Sequence, residues 1–436
     1  MNIRIDNGHV VDPANGLDGI FTVALIDGRI ELIAEEGKGA SEVETLADSR
    51  YDRIVDASGW HVLPGLIDAH CHLRDPGYEY KEDIVSGTRS AAAGGFTSVM
   101  CMPNTLPVCD SAAVVSYIRD KAAREGFARV FPIGALSKGE KGLELSEIGL
   151  MAEQGIVAIS DDGQPVDTGD LMRKAMEYAS AFGLKVISHC EERSLAENGH
   201  MNEGFVSTRL GLRGIPSAAE DIQIAREIVL AEYLDLPVHI AHVSTATGVD
   251  LIRSAKARGV KVTCETCPHY FTLTDEACLN YDTNAKMNPP LRSARDVEAV
   301  IAGLADGTID LIVTDHAPHH EDEKDVEFAL ASNGIIGFET AFSLTYGALV
   351  KTGRISLERL VELMSLQPAR IFLPAYGTLK LGSPADVTLV DLNADWVADR
   401  FKMHSKARNT PWHDSKMAGK VCMTITGGRI THENVD

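Results

Sequence analysis

Apolar and polar positions follow two different rhythms along this chain, and the change of rhythm divides it in three. Residues 1–58 alternate short apolar runs with Gly/Asp turns, as in "GHVVDP", "FTVALIDGRIELIAEE" and "YDRIVDASG". Residues 377–436 do the same in "GTLKLGSPADVTLVDL" and "GKVCMTITGGRI". Alternation broken by such turns predicts hairpin-forming strands. The two ends are therefore expected to meet in one small β domain. Residues 59–376 read differently: β-branched apolar runs alternate with longer amphipathic stretches. The candidate strands are 61–70, 96–102, 129–136, 156–160, 184–190, 237–243, 260–265 and 309–315. Stretches such as "EDIVSGTRSAAAGG" and "SAAEDIQIAREIVLAEYL" between them have helical spacing. This pattern predicts an α/β chain whose middle is a (β/α)8 TIM barrel, with a doubly wound open sheet as the structural alternative.

Barrel enzymes carry their chemistry where strands end, and the strand ends here hold an unusual set of residues. The first gives His70 and His72, the second runs into Asn104, and the fourth ends in Asp161 and Asp162. The fifth ends in His189, the sixth in His242, and the seventh leads to His269. The eighth ends in "TDHAPHH", with Asp315, His316, His319 and His320. On an extended strand, residues two apart point the same way, so His70 and His72 can face one ion while Cys71 points away. A lone HxH is weak evidence. Adding His189, His242, Asp315 and an acid from "SDDG" turns the balance toward metal, zinc first, with manganese, iron or cobalt as alternatives. Six ligands exceed what one zinc with an open position takes, and fit two metals sharing a bridging carboxylate and hydroxide. The "CETC" at Cys264 and Cys267 has no second CxxC and reads as two small residues at a buried strand end. The acidic run "HHEDEKDVEF" reads as a solvated loop, or a mobile lid.

Composition narrows the partners. Lys+Arg number 41 against Asp+Glu 63, a net charge of −22, with 44% hydrophobic and 24% charged residues. That balance describes a soluble protein and disfavours nucleic acid or an anionic membrane. A local arginine can still bind an anionic small-molecule substrate. The start "MNIRIDNGHVVDP" lacks the apolar core of a signal peptide, and eight scattered cysteines suit reduced thiols. A cytoplasmic protein is expected.

"DAHCHLRDPG" and "TDHAPHHEDEK" resemble the two signature segments of dihydroorotases in the amidohydrolase superfamily. "AAAGGFTSVMCMPNT", "HVSTATGVDLIRSAKARGVKVTCETCPHY", "NAKMNPPLR" and "KARNTPW" are similar to that family's bacterial type I branch, and the resemblance runs almost end to end. It implies a barrel with a β domain built from both termini. It also implies reversible conversion of N-carbamoyl-L-aspartate to L-dihydroorotate in pyrimidine synthesis. By motif, it puts His70, His72 and Asp315 on one metal, and His189 and His242 on the second. The bridge, a carbamylated lysine in many relatives, falls on Asp162, with Asp161 as the fallback. The resemblance also implies substrate contacts at His72, Arg74, Asn104, Asn288 and His319, and at the loop of Asn333 and Gly334. Asp315 becomes the proton shuttle. A homodimer is the family expectation, and association with aspartate transcarbamoylase is an open partner. Val313 departs from the signature, which usually has Gly or Ala there, and should affect packing only.

Three rival readings stand beside this one. A hydantoinase, dihydropyrimidinase or allantoinase would share the barrel and the HxH. Such enzymes usually carry the bridging lysine, which "VAISDDGQPV" lacks, and Arg74 argues for a carboxylate-bearing substrate. A catalytically silent homologue serving as a structural subunit would typically have lost metal ligands, and none is missing. A metal-storing or scaffold protein would not need Arg74 and Asp315 together.

Overall fold

A computed structural model describes residues 1–35 and 48–434. Its first layer is a sheet woven from both ends of the chain. Across the sheet the strands run Arg29–Glu35, Leu17–Ile26, Ile3–Asp12, His61–Pro64, Val387–Val397, Lys416–Thr426 and Arg429–Glu433. Arg53–Asp56 pairs in parallel with Ile3–Asp12. Two hairpin turns set its edges. Asp27 and Gly28 (φ 48° and 75°) and Gly427 and Gly428 (φ 58° and 75°) both hold the positive φ pair of a type I′ turn. Ile3, Ile5, Val23 and Leu25 from one end pack with Val387, Leu389 and Ile425 from the other.

Apart from the short pair Met201–Asn202 and Gly214–Ile215, the remaining strands close a parallel barrel. Leu66–Cys71 pairs with Phe96–Cys101, which pairs with Arg129–Pro132. The third strand continues through Gly134–Ala135 onto Ile159–Ser160, followed by Val186–Ser188, Val238–Ile240, Val262–Thr266 and Leu311–Ile312. A parallel bridge from Cys71 to His316 and the bond from Asp315 N to His70 O close the ring. Ile67, Ala69, Met100, Ile133, Ile187, Leu311 and Val313 fill the interior. Leu66, Phe96, Val186, Val238 and Ile240 face the outer helices, including Ile84–Ala93, Ala218–Leu234 and Ala246–Ala257. The predicted eight-stranded barrel is thus present, and Val313 is a buried packing residue. Among the described residues no helix is long and apolar enough to cross a membrane.

Two sequence expectations need correction. The run 61–70 is two strands: His61–Pro64 pairs with Ile3–Asp12 and Val387–Val397 in the terminal sheet, and only Leu66–Cys71 enters the barrel. Gly65 makes the join, and a Cβ there would collide with Thr97. The acidic run after the eighth strand is not simply solvated. Glu323 accepts from the Tyr80 hydroxyl and pairs with Lys81, both at 2.9 Å. Lys324 is buried and donates to the carbonyls of Lys286, Ser332 and Gly334. A buried ammonium needs such acceptors, and these tie the run to the loop beside it.

Candidate metal centre and active site

The barrel's C-terminal mouth is assembled by local departures from regular strands. Ile67 and Ala69 point inward, so strict alternation would turn Cys71 inward as well. The ladder shifts register between Asp68 and Cys71. Cys71 then joins the outer cluster and donates to Met100 O, while the imidazoles of His70 and His72 turn to the mouth. His242 and Asp315 leave their strands with φ of 32° and 46°, and Arg74 leaves its loop at 60°. Non-glycine residues pay for such conformations with strain, which tends to collect where side-chain aim matters.

One carboxylate sits among four imidazoles. Asp162 Oδ1 lies 3.4 Å from His70 Nε2, 3.4 Å from His242 Nε2 and 3.6 Å from His189 Nδ1, while Oδ2 lies 3.5 Å from His72 Nε2. Asp315 Oδ1 is 3.1 Å from His72 Nε2 and 3.6 Å from His70 Nε2. His189 Nδ1 and His242 Nε2 stand 2.8 Å apart. All six residues are buried.

These distances suit a metal. Ligand atoms about 2.1 Å from a tetrahedral ion sit roughly 3.4 Å from one another. His70 Nε2 and Asp162 Oδ1 are buried without a hydrogen-bond partner among the described residues, which is costly unless something else satisfies them. Three candidate ligand triples form among the described residues, and two of them, His70–His72–Asp162 and Asp162–His189–His242, share Asp162; the third is Cys267–His269–Asp315. The residues present therefore fit two ions. Asp161, the fallback bridge, turns away and accepts from Ser137 N at 2.9 Å and from its hydroxyl.

Charge at the mouth is set by neighbours. Burial pushes Asp162 upward, but the charge of His70 and the close approach of the His189, His242 and His70 rings outweigh it and hold the carboxyl well below its usual range. Burial also raises Asp315, yet the His72 hydrogen bond and the charges of His70, His72 and His242 bring it down to about 2. Both are anionic at neutral pH.

The other predicted residues are placed as follows. Asn104 Oδ1 meets His72 Nδ1 at 2.9 Å, and Asn288 Nδ2 stands 3.4 Å from His189 Nε2. Arg74 bonds Pro318 O through Nε and faces His319 Nε2 at 3.3 Å through one Nη, the rest of its fork having no partner among the described residues. Burial, then the charges of Arg74 and Lys81, lowers His319 to about 3, so the ring is neutral. Its Nδ1 donates to Glu323 at 3.1 Å, and Nε2 is left to accept from Arg74. Gly334 is buried, its carbonyl held by Lys324 and by Asn409, whereas Asn333 is exposed. His316 stacks on Phe338 and accepts from Gly337 N, a structural role, and His320 caps a short helix. Burial lowers His269 to about 3 and lifts the Cys267 thiol well above its usual range, so Cys267 stays protonated beside Asp315.

Sequence reasoning passed over two buried acids. Glu265 accepts from His70 Nδ1 at 2.6 Å and faces His239 Nε2 at 3.0 Å. Asp68 accepts from Thr314 N and Oγ1 at 2.9 and 2.6 Å, locking the first strand to the last just before Asp315. Both lie inside apolar strand runs, where an acid needs a buried partner; that was the available signal. Glu265 holds His70 through Nδ1 and so aims Nε2 at the mouth, where a metal would take the place of its proton. Replacing Glu265 by Gln is expected to weaken metal binding about 10- to 100-fold. Competition with a chromophoric chelator reads this directly, and unchanged affinity would make Glu265 a packing residue only.

Comparison with known proteins shows the family and the fold. A family model described as "Dihydro-orotase-like" matches residues 59–247. The chain is 58% identical to a dihydroorotase of Acetivibrio thermocellus over 98% of each chain. It is 57% identical to a dihydroorotase of Citrifermentans bemidjiense over 99% of this chain and 100% of that one. Among solved structures it is similar to an L-hydantoinase from Arthrobacter aurescens, with TM-score 0.87, 24% identity, and coverage of 100% of this chain and 96% of the other. It is likewise similar to a dihydropyrimidinase from Brevibacillus agri, with TM-score 0.84, 23% identity, and coverage of 100% and 95%. At those identities the structural likeness shows the barrel and its β-rich companion, and nothing finer.

Proposed function

The chain belongs to the dihydroorotase family, and from that premise we propose that its barrel mouth opens and closes the ring of L-dihydroorotate, interconverting it with N-carbamoyl-L-aspartate in pyrimidine synthesis. The observation that carries this reading is Asp162, one buried carboxylate within 3.4–3.6 Å of four imidazoles, with the Arg74 fork in the loop leaving the same mouth.

His70, His72 and Asp315 would hold one ion, His189 and His242 the other, and Asp162 both; zinc suits this imidazole and carboxylate set. When bound, the metals supply Lewis acidity that polarises a carbonyl and acidifies water to a pKa of about 7. The rest falls to the chain's own groups. In ring opening, the water oxygen bonds to the ring carbonyl carbon and its proton passes to Asp315. The ring C–N bond then breaks as the nitrogen takes that proton, and closure runs the same steps backward. Arg74 pairs its free N–H groups with the substrate carboxylate. Asn104 orients His72, Asn288 offers a neutral donor, and the neutral His319 steadies Arg74. Gly334, pinned by Lys324 and Asn409, presents backbone at the edge of the site.

Substrate class tests this reading through Arg74. Hydrogen bonds to charged groups are worth roughly 1.5–3 kcal/mol, so Arg74→Met should lower kcat/KM for dihydroorotate about ten- to a few-hundred-fold. The neutral ring 5,6-dihydrouracil lacks the carboxylate, and any trace turnover of it should hardly change. Equal losses on both rings, with metal content intact, would reduce Arg74 to a supporting role.

A further inference from the structure

A second cavity lies at the opposite end of the barrel. It is an open groove of about 1200 Å³ between the two glycine hairpins of the terminal sheet and the loops that lead into the third and fourth barrel strands. Four arginines line it, Arg29, Arg119, Arg129 and Arg429, against two aspartates, Asp27 and Asp120. This local excess of positive charge stands on a chain whose net charge is −22.

Some surface arginines are paired with acids, as where Arg253 reaches Asp306 at 2.9 Å and Arg258 reaches Glu232 at 3.1 Å. Arg119 and Arg429 in the groove are held differently. Arg119 is anchored by Gln154 O and Arg429 by Gly126 O, and neither has a carboxylate partner among the described residues. Each is held by one backbone carbonyl, with other guanidinium N–H groups left over. Arg129 completes the wall: Asp386 takes one Nη at 3.1 Å, and Nε is buried without a partner among the described residues. Its guanidinium lies over the Tyr376 ring, 5.5 Å from the centroid, and Tyr376 meets Phe131 edge-on at 5.4 Å. Both rings are half-buried in the lining. The groove therefore offers guanidinium forks, which match phosphate oxygens, beside an aromatic floor.

We propose that this groove binds a phosphorylated small molecule carrying a planar ring, the chemistry of a nucleotide, with Arg119, Arg129 and Arg429 on the phosphates and Phe131 and Tyr376 under the ring. The site stands apart from the metal centre and does not depend on the reaction assigned there.

Calorimetric titration of the metal-loaded protein with ADP tests it, alongside adenosine and a poly-glutamate peptide. Saturable ADP binding is expected at submillimolar concentration. Adenosine should bind at least about tenfold more weakly, and so should ADP to the Arg119→Gln/Arg429→Gln variant, because each lost charged contact removes roughly that factor. The variant's kcat/KM for dihydroorotate should match wild type, which certifies its fold. If the double variant loses turnover, Arg429→Gln alone carries the same readout. No saturable binding of ADP to the wild type overturns the proposal. Equal ADP affinity in the variant places the anion at the metal centre and overturns it too. Tighter binding of poly-glutamate than of ADP assigns the groove to an acidic protein segment instead.

Discussion

Asp315→Asn is expected to lower turnover of dihydroorotate by at least about 10²-fold, the lower end of what a lost general acid–base costs. The substitution keeps the side chain's volume, so packing is not at issue. It removes the anion facing His72 at 3.1 Å and His70 at 3.6 Å. It also removes the carboxylate proposed to carry the proton between water and the ring nitrogen. The backbone at Asp315, with φ of 46°, is already committed to this aim by Asp68, which grips Thr314 next door. The check is kcat and kcat/KM in both directions, with metal content measured on the same sample. Near-wild-type turnover would remove Asp315 from the chemistry.

Asp162→Ala should have the larger effect on the metals. Asp162 is the residue shared by the two triples that carry the histidine pairs. Its loss should weaken metal binding by more than the roughly 10- to 100-fold typical of a residue that merely orients a ligand, and activity should follow. If Asp162 bridges as proposed, wild-type protein stripped and reloaded with zinc should recover fully without bicarbonate, because no lysine then needs carbon dioxide. Full metal retention in the variant, or recovery that depends on bicarbonate, would show that another residue bridges.

Much of this architecture was legible in the residue pattern, and the reasons are physical. The barrel showed itself because buried parallel strands read as apolar runs while their covering helices read as amphipathic stretches. The candidate ligands stood out because several histidines and aspartates gather at the ends of successive strands. The convergence of His70 with His242 and Asp162 was another matter. It depends on a register shift after Asp68 and on positive φ at His242 and Asp315, and no local pattern announces either. Asp162 was preferred over Asp161 only by its place in the motif; the structural difference between them depends on Ser137, contributed by the preceding barrel strand's loop. The split of 61–70 was hidden because both strands are apolar and join without a turn, so periodicity alone could not cut them. Glu265 and Asp68 looked like single acids in strands until their partners, His70 and Thr314, came from strands far away in sequence.

The most direct measurement is a substrate comparison on the zinc-loaded wild-type protein, following ring opening of L-dihydroorotate and ring closure of N-carbamoyl-L-aspartate beside hydantoin, 5,6-dihydrouracil and allantoin. The account predicts turnover of dihydroorotate in both directions, abolished by chelation and restored by zinc, with kcat/KM well above that for any of the three other rings. Faster opening of a neutral ring than of dihydroorotate, or metal-loaded protein that turns over neither acid, would contradict it.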